Sequence, residues 1–65
     1  MKEAIQLLTE REKEVIALLS KGLTYEKIAV QMDVSHQTVK MHLKNIYRKL
    51  EVQNKIEALQ KVKLL

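Results

Sequence analysis

Five side chains on one stretch of this sequence have the types and spacing to meet a nucleic acid. Gln37, Lys40, Met41, Lys44 and Arg48 recur at intervals of one to four residues. On a helix they share an arc about 100° wide. Lys40 and Lys44 stand one turn apart, where their ammonium groups can donate to guanine O6 and N7, with neighbouring phosphates as the lesser option. Met41 between them either touches thymine methyl groups or is a tolerated surface methionine. A basic arc is also what an ordinary solvated helix face looks like, so the elements that carry it must decide between the two.

Other chemistries find little to work with. His36 and His42 are six residues apart and do not share one helix face as i, i+4 metal ligands do. Ser35 beside His36 suggests a nucleophile, but no carboxylate completes a triad, and an N-cap serine next to a surface histidine accounts for both. Glu10, Glu12 and Glu14 sit where helix capping and surface charge explain them. With no cysteine there is no disulfide framework, zinc–thiolate site or reactive thiol, which fits a reducing cytoplasm. No apolar run approaches a membrane span, and Glu3 interrupts any signal-peptide pattern at the start. The expectation is a protein that is not an enzyme and needs no cofactor or metal.

The chain has 65 residues, one glycine and no proline, which argues for one small all-α domain over 1–65 and against a many-turned sheet fold. Four helices carry start signals. Thr9 caps the first, Glu10 to Ser20, with Glu12 completing a capping box; Lys21 and Gly22 end it. Thr24 caps the second, Tyr25 to Met32, which buries Ile28, Ala29 and Met32. Ser35 caps the third, His36 to Leu50, whose Val39, Leu43, Ile46 and Leu50 form a buried seam about 60° wide. Asn54 caps the fourth, Lys55 to Val62 or Lys63, with Glu57 at the capping-box position. Its apolar residues Ile56, Ala58, Leu59, Val62 and Leu65 spread over about 180°, more than a short terminal helix needs for its own core. Part of that face, with Ile56, Leu59, Val62 and Lys63, is therefore expected to meet a second copy. A chain this short also buries only about 60% of its unfolded surface and gains from pairing.

Charge follows the same division. Residues 1–23 are neutral overall, residues 24–35 carry −1 and residues 51–65 carry +1, while the third helix alone carries +4 with no acid. Its basic arc lies beside the buried seam rather than in it. It belongs to the second helix of a pair joined by Asp33, Val34 and Ser35, which is the helix-turn-helix arrangement, and in that context a major groove is the natural partner. Tyr47 borders the seam; core packing and a phosphate contact through its hydroxyl are equally open.

The run LTEREKEVIALLSKGLTYEKIAVQMDVSHQTVKMHLKNIYRKLEV resembles the LuxR-type helix-turn-helix domain of quorum-sensing regulators and NarL-type response regulators, over about residues 7–62. The resemblance implies four helices, a third helix that enters the major groove and a fourth that packs against its twin. By similarity the base-reading positions fall on Lys40, Met41 and Lys44. The backbone-contacting positions fall on Thr24, Ser35, Gln37, Thr38, His42 and Lys49, and Arg48 of the basic arc is added to them as a further backbone contact. Thr38, His42 and Lys49 lie on the flank of the arc, which suits phosphate contact better than base reading. The function implied is sequence-specific binding of double-stranded DNA at an inverted repeat by a homodimeric bacterial transcription regulator. Such a protein is cytoplasmic and nucleoid-associated, with RNA polymerase a further candidate partner.

The sequence departs from the family pattern in three places. Glu51 stands where the family usually has glycine after the third helix. A left-handed Glu51 is strained by about 1–2 kcal/mol; otherwise the third helix ends differently and the fourth docks at a changed angle. Ile56 replaces a small polar residue, which makes the pairing surface more apolar. The usual sensing or phosphoacceptor domain is missing, so the chain is read as a stand-alone member or an excised effector domain. That absence and the broad face of the fourth helix also raise an alternative: a small modulator that traps a larger relative in a non-binding heterodimer. The intact basic arc argues against it. The related sigma-factor motif also binds DNA, but TVKMHLKNIYRKL fits the LuxR type better.

Overall fold

Side-chain caps and apolar seams produce four helices in the computed structural model, which describes residues 6–64, Leu64 by its backbone alone. They are α1 (Glu10–Ser20), α2 (Tyr25–Met32), α3 (His36–Leu50) and α4 (Lys55–Leu64). No strand is present among the described residues. Glu3 of the signal-peptide argument and Leu65 of the broad α4 face lie outside those residues.

Each helix begins on a predicted cap. Thr9 Oγ1 accepts the Glu12 N–H at 3.1 Å and Glu12 Oε1 accepts the Thr9 N–H at 2.9 Å, a complete capping box. Thr24 Oγ1 accepts from the Lys27 N–H at 3.2 Å, and Ser35 Oγ from the Thr38 N–H at 3.0 Å. Asn54 Oδ1 accepts from the Glu57 N–H at 2.9 Å. Here the reciprocal half differs from expectation: Glu57 Oε1 accepts from the N–H of Gln53, one residue further out.

The first three helices end with one shared device. Gly22 (φ 92°), Asp33 (φ 57°) and Glu51 (φ 59°) are left-handed. The following N–H in each case returns to a carbonyl five residues back: Leu23 to Leu18, Val34 to Ala29, Val52 to Tyr47. Those three apolar residues then pack on the core, as the Schellman motif requires. Asp33 tolerates the conformation through its short polar side chain, whereas Glu51 has no such advantage. The α3 terminus therefore keeps the left-handed geometry on a strained residue. Glu51→Gly is expected to stabilise the chain by about 1 kcal/mol, raising the melting midpoint by roughly 4–8 °C. Thermal unfolding followed by circular dichroism checks this, and an unchanged or lower midpoint would rule the strain out.

The core forms around α3, which packs on α1, α2 and α4. Val39, Leu43, Ile46 and Leu50 are all buried, as their spacing predicted. They meet Leu8, Val15, Ile16, Leu18 and Leu19 from the first helix and its approach, Ile28, Ala29 and Met32 from α2, and Ala58 from α4. Because one face of α3 supplies the centre of this core, its opposite face is held in a fixed direction toward solvent.

Candidate nucleic-acid interface

The outward face of α3 is basic because it presents Lys40, Lys44 and Arg48 and the helix carries no acid. Gln37, Lys40, Met41, Lys44 and Arg48 are exposed. Ser35, Gln37, Thr38, Lys40, Met41 and Lys44 line one shallow concavity of about 330 Å³ at the N-terminal half of the helix. Met41 is 56% exposed, an uncovered apolar side chain between two lysines. The Ser35 and Thr38 hydroxyls lie 2.9 Å apart at the helix start. There the exposed end of the helix dipole favours an anion such as phosphate. A larger depression on the outer face of α2, lined by Leu23, Glu26, Lys27, Val30 and Gln31, has offsetting charges and offers no comparable basic surface.

The remaining sequence-derived positions spread around this surface. Thr24 is exposed at the start of α2, while Thr38 and His42 are half-buried on the flank of α3. Arg48 is exposed and its guanidinium donates to Asn45 Oδ1 at 3.3 Å. Lys49 faces elsewhere: its Nζ donates to Glu12 Oε1 at 2.7 Å, across to α1. Tyr47 packs against the core and its hydroxyl is buried without a hydrogen-bond partner, so of the two roles open to it the structure selects packing. Burial pushes its phenol well above the ordinary value, and Tyr25 beside it adds to the effect. Tyr25 in turn stands against His36, with ring centroids 6.0 Å apart. On α4, Ile56 is 66% exposed and Lys63 exposed, while Leu59 and Val62 are half-buried against the chain's own core.

Glu12 is the residue that the sequence reading undervalued. It is 3% exposed and is the one buried charged side chain among the described residues. Burial alone would raise its pKa, but hydrogen bonds from Lys49 and from the Thr9 N–H outweigh that, and the carboxyl is held below its ordinary value. A carboxylate depressed in this way stabilises the fold above its unfolded pKa, about 4.5, and that contribution is lost as pH falls through the lower folded value. Between about pH 5 and pH 3 the wild-type melting midpoint is therefore expected to fall more steeply than that of Glu12→Gln. Parallel slopes would show that Glu12 does not titrate with folding. The other ion pairs described, Arg11 with Glu14 at 3.5 Å and Lys13 with Glu10 at 3.6 Å, are exposed and local to α1. Pairs of that kind contribute little.

α2 and α3 are joined by three residues, and the exposed face of α3 carries no acid. The model of the family described as bacterial regulatory proteins, luxR family, matches residues 6–62. The chain belongs to that family. The luxR-family relatives place the same unit in proteins of very different size. Over 53 residues the chain is 43% identical to the HTH-type transcriptional regulator MalT of Vibrio cholerae, covering 82% of this chain and 6% of MalT. Over 56 residues it is 41% identical to the nitrate/nitrite response regulator protein NarP of Escherichia coli, covering 86% of this chain and 26% of NarP. The solved structure of the response regulator StyR superposes with a TM-score of 0.92 at 31% identity, covering 98% of this chain and 32% of that one. The chain thus spans about a quarter of NarP and far less of MalT, and what these luxR-family proteins share with it is the helix-turn-helix domain. No helix among the described residues is long and apolar enough to cross a membrane.

Proposed function

We propose that this chain is the sequence-specific, double-stranded DNA-binding module of a bacterial transcription regulator and acts as a homodimer. The observation that carries the reading is the exposed, acid-free face of α3, held outward by a seam of four buried residues on its other side. α3 lies in the major groove. Lys40 and Lys44 donate to guanine edges, and Met41 packs on a thymine methyl. Thr24, Ser35, Gln37, Thr38, His42 and Arg48 meet the sugar–phosphate backbone, which sets register without reading sequence. Lys49 leaves this group, because its ammonium is already bonded to Glu12. The regulator works on the chromosome, in the cytoplasm, where RNA polymerase is a natural further partner.

Dimerisation through α4 brings two α3 helices to successive major grooves about one helical turn apart, so the operator is an inverted repeat. The exposed Ile56 supports this, with Leu59, Val62 and Lys63 extending the contact. Ile56→Asp is expected to shift sedimentation toward monomer and to abolish cooperative occupation of two half-sites, while a single half-site is still bound. Unchanged sedimentation would place the contact elsewhere. Selection of binding sites from random DNA tests the whole reading: it is expected to return two inverted half-sites with a G·C and T·A core. Recovery of random sequence would overturn it.

A further inference from the structure

The geometry points to a role for Glu12 and Lys49 in DNA recognition, and we propose that they are positioning residues that lock the angle of α3 while withdrawing Lys49 from the phosphates. The inference rests on the DNA-binding reading of α3. One carboxylate oxygen makes the junction. Glu12 Oε1 accepts both the Lys49 ammonium at 2.7 Å and the Thr9 N–H at 2.9 Å. The first turn of α1 and the last turn of α3 are thereby joined across 37 residues of sequence. The Glu12 side chain is 4% exposed and that of Lys49 26%.

Apolar packing is non-directional and leaves a helix free to roll or slide slightly. A buried, charge-assisted hydrogen bond is short and directional, and it specifies one arrangement. On α3, Lys49 projects between the basic arc and the apolar seam, so it reaches the neighbouring helix rather than the groove. The lever is long: Lys40 lies nine residues from Lys49, about 13.5 Å along the axis. A tilt of about 10° pivoting at the C-terminal end would move Lys40 by about 2 Å. That displacement breaks a hydrogen bond to a base edge, which needs a donor–acceptor distance of about 2.7–3.2 Å. A phosphate contact from a flexible lysine survives it, because a point charge needs no fixed geometry.

The test uses the full chain as Lys49→Met, Glu12→Gln, their double variant and the conservative Lys49→Arg, each assayed below its melting midpoint as judged by circular dichroism. Affinities are measured for the selected operator and for random duplex across a salt series. Lys49→Met and Glu12→Gln are each expected to lower the operator-to-random ratio at least about fivefold. The double variant is expected to be no worse than the worse single, and Lys49→Arg to restore the ratio. For Lys49→Met the salt slope on random DNA is expected to stay at the wild-type value, whereas loss of a phosphate contact would reduce it by about 0.9. A reduced slope with equal loss on both DNAs would make Lys49 a phosphate ligand and overturn the proposal. An unchanged ratio in folded Glu12→Gln would also overturn it, and that variant keeps the side-chain volume and an oxygen for the Thr9 N–H if Lys49→Met fails to fold. A wild-type chain with no operator preference would instead remove the DNA-binding reading on which the inference stands.

Discussion

Lys40→Ala and Lys44→Ala are each expected to weaken binding to the selected operator by about 1–3 kcal/mol, and binding to random duplex much less. Both side chains are exposed and line the same concavity, with Met41 between them. One helical turn separates them by about 6 Å along α3. That distance spans nearly two base-pair steps of roughly 3.4 Å each, so the two lysines can address neighbouring pairs in one groove. A correct pairing contributes only on its own sequence, whereas Coulomb attraction to phosphates contributes on every sequence. Arg48→Ala is the contrast. Its exposed guanidinium lies a turn beyond Lys44 and is expected to act on the backbone, so its loss should weaken both DNAs alike and reduce the salt slope by about 0.9. Titrations at several salt concentrations with both duplexes separate the cases. Equal loss from all three substitutions would reduce the basic face to a non-specific attractor.

Ile46→Ala is expected to leave the isolated chain largely unfolded at 25 °C. Ile46 is fully buried at the middle of the α3 seam. Truncation of such a residue costs about 2–5 kcal/mol through lost transfer energy and the cavity left behind. A domain below about 70–80 residues rarely has more than about 3–5 kcal/mol to lose. Val30→Ala provides the comparison, since Val30 is 81% exposed and its truncation should change stability by less than about 0.5 kcal/mol. Helical circular dichroism against temperature reads both. Operator DNA in excess should restore part of the signal in Ile46→Ala, because a ligand that binds only the folded state shifts the equilibrium toward it. A cooperative melt within a few degrees of wild type would mean that α3 can repack around the missing side chain.

Much of the fold is visible in the order of residue types. Thr9, Thr24, Ser35 and Asn54 act on backbone N–H groups three residues away, and such local hydrogen bonds need no tertiary context. The seam of α3 is legible for a similar reason: a period of 3.6 residues forces Val39, Leu43, Ile46 and Leu50 onto one side. The ends of the first three helices are legible too, but the backbone conformation that closes them is less so. Gly22 announces its left-handed geometry, but Asp33 and Glu51 adopt the same conformation without a glycine. At those two positions the return bonds to Ala29 and Tyr47, together with the burial of Val34 and Val52, outweigh the local preference. On α4 the breadth of the apolar stripe overstated the free surface, because Leu59 and Val62 already lean on the chain's own core.

The sequence by itself determined four helices, their starts, the buried side of α3 and the concentration of positive charge on the opposite side. All of these arise from contacts within about one helical turn or from helical period alone. Only the tertiary structure shows what Lys49, Glu12 and Tyr47 pack against within the chain. Lys49 and Glu12 are 37 residues apart, and no local rule brings a lysine at the end of one helix to a carboxylate at the start of another. Tyr47 sits at the seam's edge, where a few degrees of helix rotation separate solvent from core, and packing against the neighbouring helices makes that choice.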